Sequence, residues 1–215
     1  MLQQWVQYFP DMMKGVLITL KLTGSSLVVA LVFGFILALM RLSTSKTLNL
    51  IGTWYIEIVR AVPVLVIIFL AYYSLGNILT LSGFTAAVVS LGAFYATQYG
   101  EIFRGAILGV DKGQTEAASA LGMPSRTIMR KVILPQAFFT ILPPATNQLS
   151  NLIKDTSLVF TIGISDLMFQ AYSAASNNFL PLDMLLEAGV IYFVFYLVLS
   201  KLLARWELNV QRSRS

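Results

Sequence analysis

The chain contains no cysteine and no histidine. A disulfide frame, a thiolate nucleophile and an imidazole base or metal ligand are therefore excluded. Charge is scarce as well: Asp, Glu, Lys and Arg make up 12% of the 215 residues, against about 25% in soluble domains. No nucleophile–base set and no cluster of metal-ligand type appears, so enzyme activity is not expected. What fills the sequence instead is apolar. Hydrophobic residues reach 57% and gather in runs of about 20, the length a helix needs to cross a bilayer. An all-α polytopic membrane protein is expected. The net charge of +5 would fit nucleic acid in a soluble protein. Here the basic residues fall between apolar runs, which is an orientation signal in a membrane protein.

Five spans are expected, at about 15–40, 55–75, 84–108, 138–162 and 184–204, in one domain covering 1–215. The fourth is interrupted by Pro143 and Pro144 and carries Asn147, Gln148, Asn151, Lys154 and Asp155. Backbone breaks and polar groups at membrane depth need protein or water around them, so this span should face the interior of an assembly. Arg41, Lys46, Arg104, Lys112, Arg126, Arg130, Lys131, Lys201, Arg205, Arg212 and Arg214 fall on one side. The other side holds Asp11, Lys14, Asp166, Asp183 and Glu187, with Lys21 just inside the first span. The positive-inside rule then makes the 41–54 loop, the 109–137 loop and the C-terminus cytoplasmic and the N-terminus external. Trp5, Tyr8 and Phe9 belong at the outer interface, in a short interfacial helix, and Trp206 at the inner one. Met1 to Pro10 lack the basic stretch of a cleavable signal, so the first span should act as an uncleaved one. Gly24, Ser25, Ser26 and Gly34 are expected at helix contacts, where small residues let backbones approach.

One segment does not fit a bilayer: residues 112–135, amphipathic and flanked by charge. Gly113 to Leu121 favours helix, with Ala117, Ala120 and Leu121 on one face. Gly122 suits the C-terminal cap, and Pro124 is tolerable in the first turn of a second short helix ending before Pro135. Small residues at Ala117, Ala118, Ser119 and Gly122 let another surface come close.

The segment reads Glu116-Ala117-Ala118, three residues, Gly122, nine residues, Val132, one residue, Leu134-Pro135. It resembles the EAA loop of ABC importer permeases, with Val132 in place of Ile. Glu57 to Leu65 resembles the ExxRGxPLL stretch of polar amino acid permeases, and Glu101-Ile-Phe-Arg104-Gly105-Ala-Ile their EIFRGGI. Leu142-Pro-Pro-Ala-Thr-Asn147 and Lys154-Asp155-Thr156-Ser157-Leu158 resemble their LPPxxN and KDTSL. The likeness is to the histidine/glutamine/arginine importer type, with a MetI-like transmembrane domain, and it covers nearly the whole chain. Departures fall at Ala61, Ile67 and Gln98, where Gly, Gln and Tyr are common.

The resemblance implies a type I ABC importer fold and a coupling loop at about 112–135 that plugs into an ATP-hydrolysing partner. Glu116, Ala117, Ala118, Leu121, Gly122, Met123, Arg126 and Pro135 would carry the coupling. It also implies a second permease subunit, identical or related, an extracytoplasmic solute-binding protein and a bacterial cytoplasmic membrane. The chain lacks a GxxxxGK[ST] loop, so ATP and Mg belong to the partner and no cofactor is expected here. The 163–182 segment would help form an external gate; a plain loop fits its composition equally.

Ionisable groups at bilayer depth are costly and usually have a partner or a task. Glu57 and Arg60, and Glu101 and Arg104, are three apart and can pair on one helix face. Lys154 and Asp155 are adjacent, so each needs a partner on another helix or water. A zwitterionic amino acid needs donors for its carboxylate and acceptors for its ammonium. Glu101, Asp155, Gln98, Asn147, Asn151, Thr97 and Tyr72 are the candidates to supply them, with Glu57, Arg60, Arg104 and Lys154 as structural ion-pair members. An excess of carboxylate favours a basic amino acid. The rival readings are a permease of the same build for an opine, cystine or a sulfonate, and an ATP-independent channel or carrier.

Overall fold

A computed structural model describes the backbone of residues 2–75, 80–178 and 181–212, and the side chains of 5–74, 80–177 and 182–205. Every regular element among them is helical: α1 (Leu2–Leu42), α2 (Lys46–Ala61), α3 (Val64–Phe69) with a π turn Leu70–Leu75, and α4 (Gly83–Leu108). These are followed by α5 (Lys112–Ala120), α6 (Ser125–Ile128) with a π turn Met129–Ile133, α7 (Leu134–Asp155) with a 3-10 extension Thr156–Ile162, α8 (Leu167–Asn178) and α9 (Pro181–Arg212).

Among the described residues two helical stretches, Trp5–Leu42 and Leu182–Arg205, are long and apolar enough to cross a membrane. Two bent pairs, Lys46–Ala61 with Val64–Ser74 and Ser125–Ile162 with Leu167–Asn177, raise the number to four. α4 has 26 residues, about 39 Å at 1.5 Å per residue, so its length suffices too. It is enclosed by protein, with Tyr95, Thr97, Tyr99 and Gly100 all buried.

The bundle is built around α4. It packs along α1, where the backbones nearly touch. A Cβ on Gly34 would lie 3.0 Å from the Ala96 carbonyl oxygen, and one on Gly100 would lie 3.2 Å from that of Gly34. Ser26 is buried at the same interface, whereas Gly24 and Ser25 are exposed, and a Cβ on Gly24 would meet nothing within 4 Å. Of the four small residues expected at contacts, Gly34 and Ser26 are there and Gly24 and Ser25 are not. Leu22, Ile68, Leu91, Tyr95, Tyr99, Leu152 and Val159 close the main core. A second cluster, with Met12, Leu167, Ala171 and Met184, ties α8 and α9 to the start of α1.

Several expected boundaries move. The N-terminal stretch is no separate interfacial helix; it continues into α1 with Pro10 inside. The second span bends by 103° between Ala61 and Val64. Val62, ahead of Pro63, is extended at φ −97° and ψ 131°, because a proline ring disfavours helical conformation in the residue before it. Pro143 and Pro144 do not break α7, and the Thr146 hydroxyl donates to the Pro143 carbonyl at 2.9 Å. The segment after Gly163, which has φ +79°, is helix α8 rather than loop; buried Asp166 caps it, accepting from the Phe169 amide at 2.9 Å. The Trp206, Arg212 and Arg214 side chains, expected at the inner side, lie outside the described residues.

Candidate functional site

Two places gather the residues singled out in the sequence. The first is α5. Asp111 starts it, accepting from the Gly113 amide at 2.6 Å. Gly122, at φ +76°, stops it with a pair of reverse bonds: its own amide donates to the Ser119 carbonyl at 2.9 Å and the Met123 amide to that of Ala118 at 3.2 Å. These satisfy carbonyls the helix would otherwise leave bare. Ala118 turns inward and is buried, while Glu116, Ala117, Ala120, Gly122 and Arg126 are exposed and Met123 is half-buried. Leu121 is 82% exposed. Gln136 donates to Gln114 at 3.3 Å, tying α5 to α7.

The second short helix does not end before Pro135. Residues Ser125–Ile162 form one unbroken helical run. Pro135 sits in the first turn of α7, and the π turn before it lets the Leu134 amide reach back to the Met129 carbonyl. A π turn takes up the misfit of a proline lacking its own amide donor. The element is thus one short exposed helix held against the end of a long one.

The second place is a cleft between α4 and α7. One cavity of about 380 Å³ is lined by Phe94, Tyr95, Gln98, Gln148, Asn151, Lys154 and Asp155. A second, of about 390 Å³, adds Arg60, Glu101, Thr140 and Pro144 and shares Gln98 and Gln148. Asp155 accepts from the Tyr95 hydroxyl at 2.8 Å. Lys154 is exposed and sits 6.0 Å from the centre of the Tyr196 ring on α9, at the outer range of a cation–π contact. Arg60 donates to the Gln98 side-chain amide oxygen at 2.6 Å rather than pairing with Glu57, which is exposed. Glu101 accepts from Arg104 at 2.8 Å and stands 3.8 Å from Arg41, so its charge is already opposed by two guanidinium groups.

Of the seven candidate substrate residues, Gln98, Glu101, Asn151 and Asp155 reach the cleft. Thr97 is fully buried and donates to the Phe94 carbonyl at 2.7 Å. Tyr72 packs on Tyr73 with ring centres 5.0 Å apart and lines neither cavity, nor does Asn147. Tyr95, Gln148 and the donor role of Arg60 were not anticipated. Helical spacing carried the signal, since Tyr95 is three residues before Gln98 and Gln148 three before Asn151. The cleft offers Arg60, Lys154 and amide N–H groups as donors and Asp155 and amide carbonyls as acceptors, a set that suits a molecule bearing both charges.

Residues 30–214 match the family described as binding-protein-dependent transport system inner membrane component. The arginine transport system permease protein ArtQ of Bacillus subtilis (strain 168) is 36% identical over 197 residues, 91% of this chain and 90% of the relative. The probable glutamine ABC transporter permease protein GlnM of the same organism is 35% identical over 193 residues, 89% of each. A crystal structure of an amino acid ABC transporter with histidines superposes with a TM-score of 0.89 at 36% identity, covering 95% of this chain and 96% of that one.

Proposed function

Because the chain belongs to the family of inner membrane components of binding-protein-dependent transport systems, we propose that it is the membrane-spanning subunit of an ATP-driven importer of polar amino acids. The observation that carries the reading is the tip of α5, where Leu121 is 82% exposed and Glu116 and Ala117 on the same short helix are exposed as well. A large apolar side chain so exposed, on a helix fixed at both ends, is an anchor for a groove on another protein. The partner is an ATP-hydrolysing subunit, and Glu116 provides the charge at the rim of the contact. A second permease subunit completes the pathway, and a solute-binding protein delivers cargo to the side opposite α5. The 109–137 loop and the C-terminus are cytoplasmic.

The α4–α7 cleft is the place for cargo. Asp155 accepts the ammonium, while Arg60 and Lys154 oppose the carboxylate. Glu101 serves as the hub of an arginine pair and holds α4 to the end of α1. ATP binding draws the paired α5 elements together, which turns the clefts outward; hydrolysis resets them. Cargo of arginine type is supported by the likeness to ArtQ, and glutamine type by the likeness to GlnM.

The test is Glu116→Lys in the assembled transporter. The permease is expected at normal membrane abundance, with ATP hydrolysis no longer yielding uptake. Normal uptake by this variant would remove the docking role.

A further inference from the structure

Glu187 on α9 has no part in the cleft or in α5, and it sits at the opposite end of the bundle, near the start of α1. The residue is 2% exposed. Both of its carboxylate oxygens are buried without a hydrogen-bond partner, and so is the indole nitrogen of Trp5. The two residues line one cavity of about 410 Å³ with Val6, Phe9, Val190 and Ile191. A buried carboxylate with no partner is costly, and an indole N–H at a membrane boundary ordinarily finds an acceptor. The two groups do not meet each other, and together they suit a ligand that supplies both a donor and an acceptor.

The rim says where that ligand comes from. Val6 is 76% exposed, Phe9 51% and Val190 46%, all apolar and all on helices long and apolar enough to cross a membrane, Val6 and Phe9 near the start of α1 and Val190 a third of the way along α9, so the mouth is of the kind that lipid covers. We propose that this cavity binds the headgroup of an ethanolamine phospholipid. The primary ammonium, a cation with three donors, meets Glu187 and the face of Trp5. Aromatic faces attract such cations, tryptophan most strongly. The phosphate or ester oxygen accepts from the Trp5 indole. The acyl chains run along Val6, Phe9 and Val190. An anionic glycerol phospholipid lacks the cation and would set its charge against the carboxylate.

The experiment uses the full chain, purified with whatever subunits accompany it, from vesicles holding equal parts of ethanolamine and glycerol phospholipid. Retained lipid is counted by mass spectrometry. The wild-type protein should hold ethanolamine lipid at least fivefold over glycerol lipid, and Glu187→Gln should bring the ratio to that of the vesicle. Independently of any variant, an N-acylated ethanolamine lipid, which has lost its ammonium, should not be retained by the wild type. The proposal is overturned by an unchanged ratio in Glu187→Gln or by equal retention of the N-acylated lipid. It is overturned too by displacement of the lipid with millimolar free ethanolamine, which would make this a site for a soluble amine. A change of oligomeric state in Glu187→Gln without a change in lipid would assign the carboxylate to a protein contact instead.

Discussion

The tip of α5 presents an apolar side chain facing away from the protein; the α4–α7 cleft presents polar side chains facing into it. Leu121 stands clear of its own chain, while Asp155 lies between helices with a hydrogen bond from Tyr95. Each region is the inverse of its setting, an apolar tip where water is expected and a polar stripe where lipid-like packing is. Such a mismatch costs free energy in the isolated chain and is recovered when a complementary surface or solute arrives. The two regions differ in how the backbone supports them. α5 is held by caps and one glutamine pair, whereas the cleft is walled by the most buried helix of the bundle.

Substitutions can pull the two apart. The largest effect is expected from Leu121→Asp, which puts a charge at the centre of the proposed contact. It should weaken binding of the ATPase subunit by about 3 kcal/mol, more than a hundredfold, with no change in the thermal stability of the permease alone. Retention of the ATPase at wild-type level in a pull-down would contradict it. Next comes Asp155→Asn in the cleft. Loss of the charged acceptor should lower apparent amino acid affinity by about 2 kcal/mol, roughly thirtyfold, while the ATPase stays bound. Transport kinetics and a pull-down on the same preparation separate the two regions.

Gly122→Ala is milder. A Cβ at φ +76° costs about 1 kcal/mol, so docking should fall about fivefold, and Gly122→Asn, which tolerates this conformation better, should restore part of it. The smallest change is Tyr95→Phe. It removes one hydrogen bond to Asp155, worth about 1 kcal/mol or less, and should alter uptake severalfold at most without touching docking. If Tyr95→Phe matched Asp155→Asn in severity, the hydroxyl rather than the carboxylate would be the group the solute meets.

The α5 element was legible because its signals are local. Small residues through Ser119 and a glycine at 122 mark where the helix runs and stops, although the cap at Asp111 that starts it was not read from the sequence. The cleft was half legible. Gln98, Asn151 and Asp155 are conspicuous in apolar runs, but sequence alone does not say which face of α4 or α7 turns inward, and Thr97, one residue from Gln98, points into the core. Arg60 was assigned to Glu57 by spacing, yet the 103° bend after Ala61 accompanies a fold in which it meets Gln98, across 38 positions. The prolines misled in both directions. Pro63 bends its span, whereas Pro135 and Pro143 are absorbed, the first by a π turn and the second within a continuous helix.

That absorption matters for motion. From Ser125 to Asp155 the chain is one continuous helical run, about 45 Å long at 1.5 Å per residue, with one end beside the exposed α5 tip and the other in the cleft. No loop interrupts it to act as a joint. A tilt of about 5° at one end carries the other through about 4 Å, a distance that opens or shuts a gap the width of an amino acid backbone. On the proposed reading, stroke at the partner and aperture at the cleft would be geared through this helix, and lengthening or kinking it is the way to change the gear.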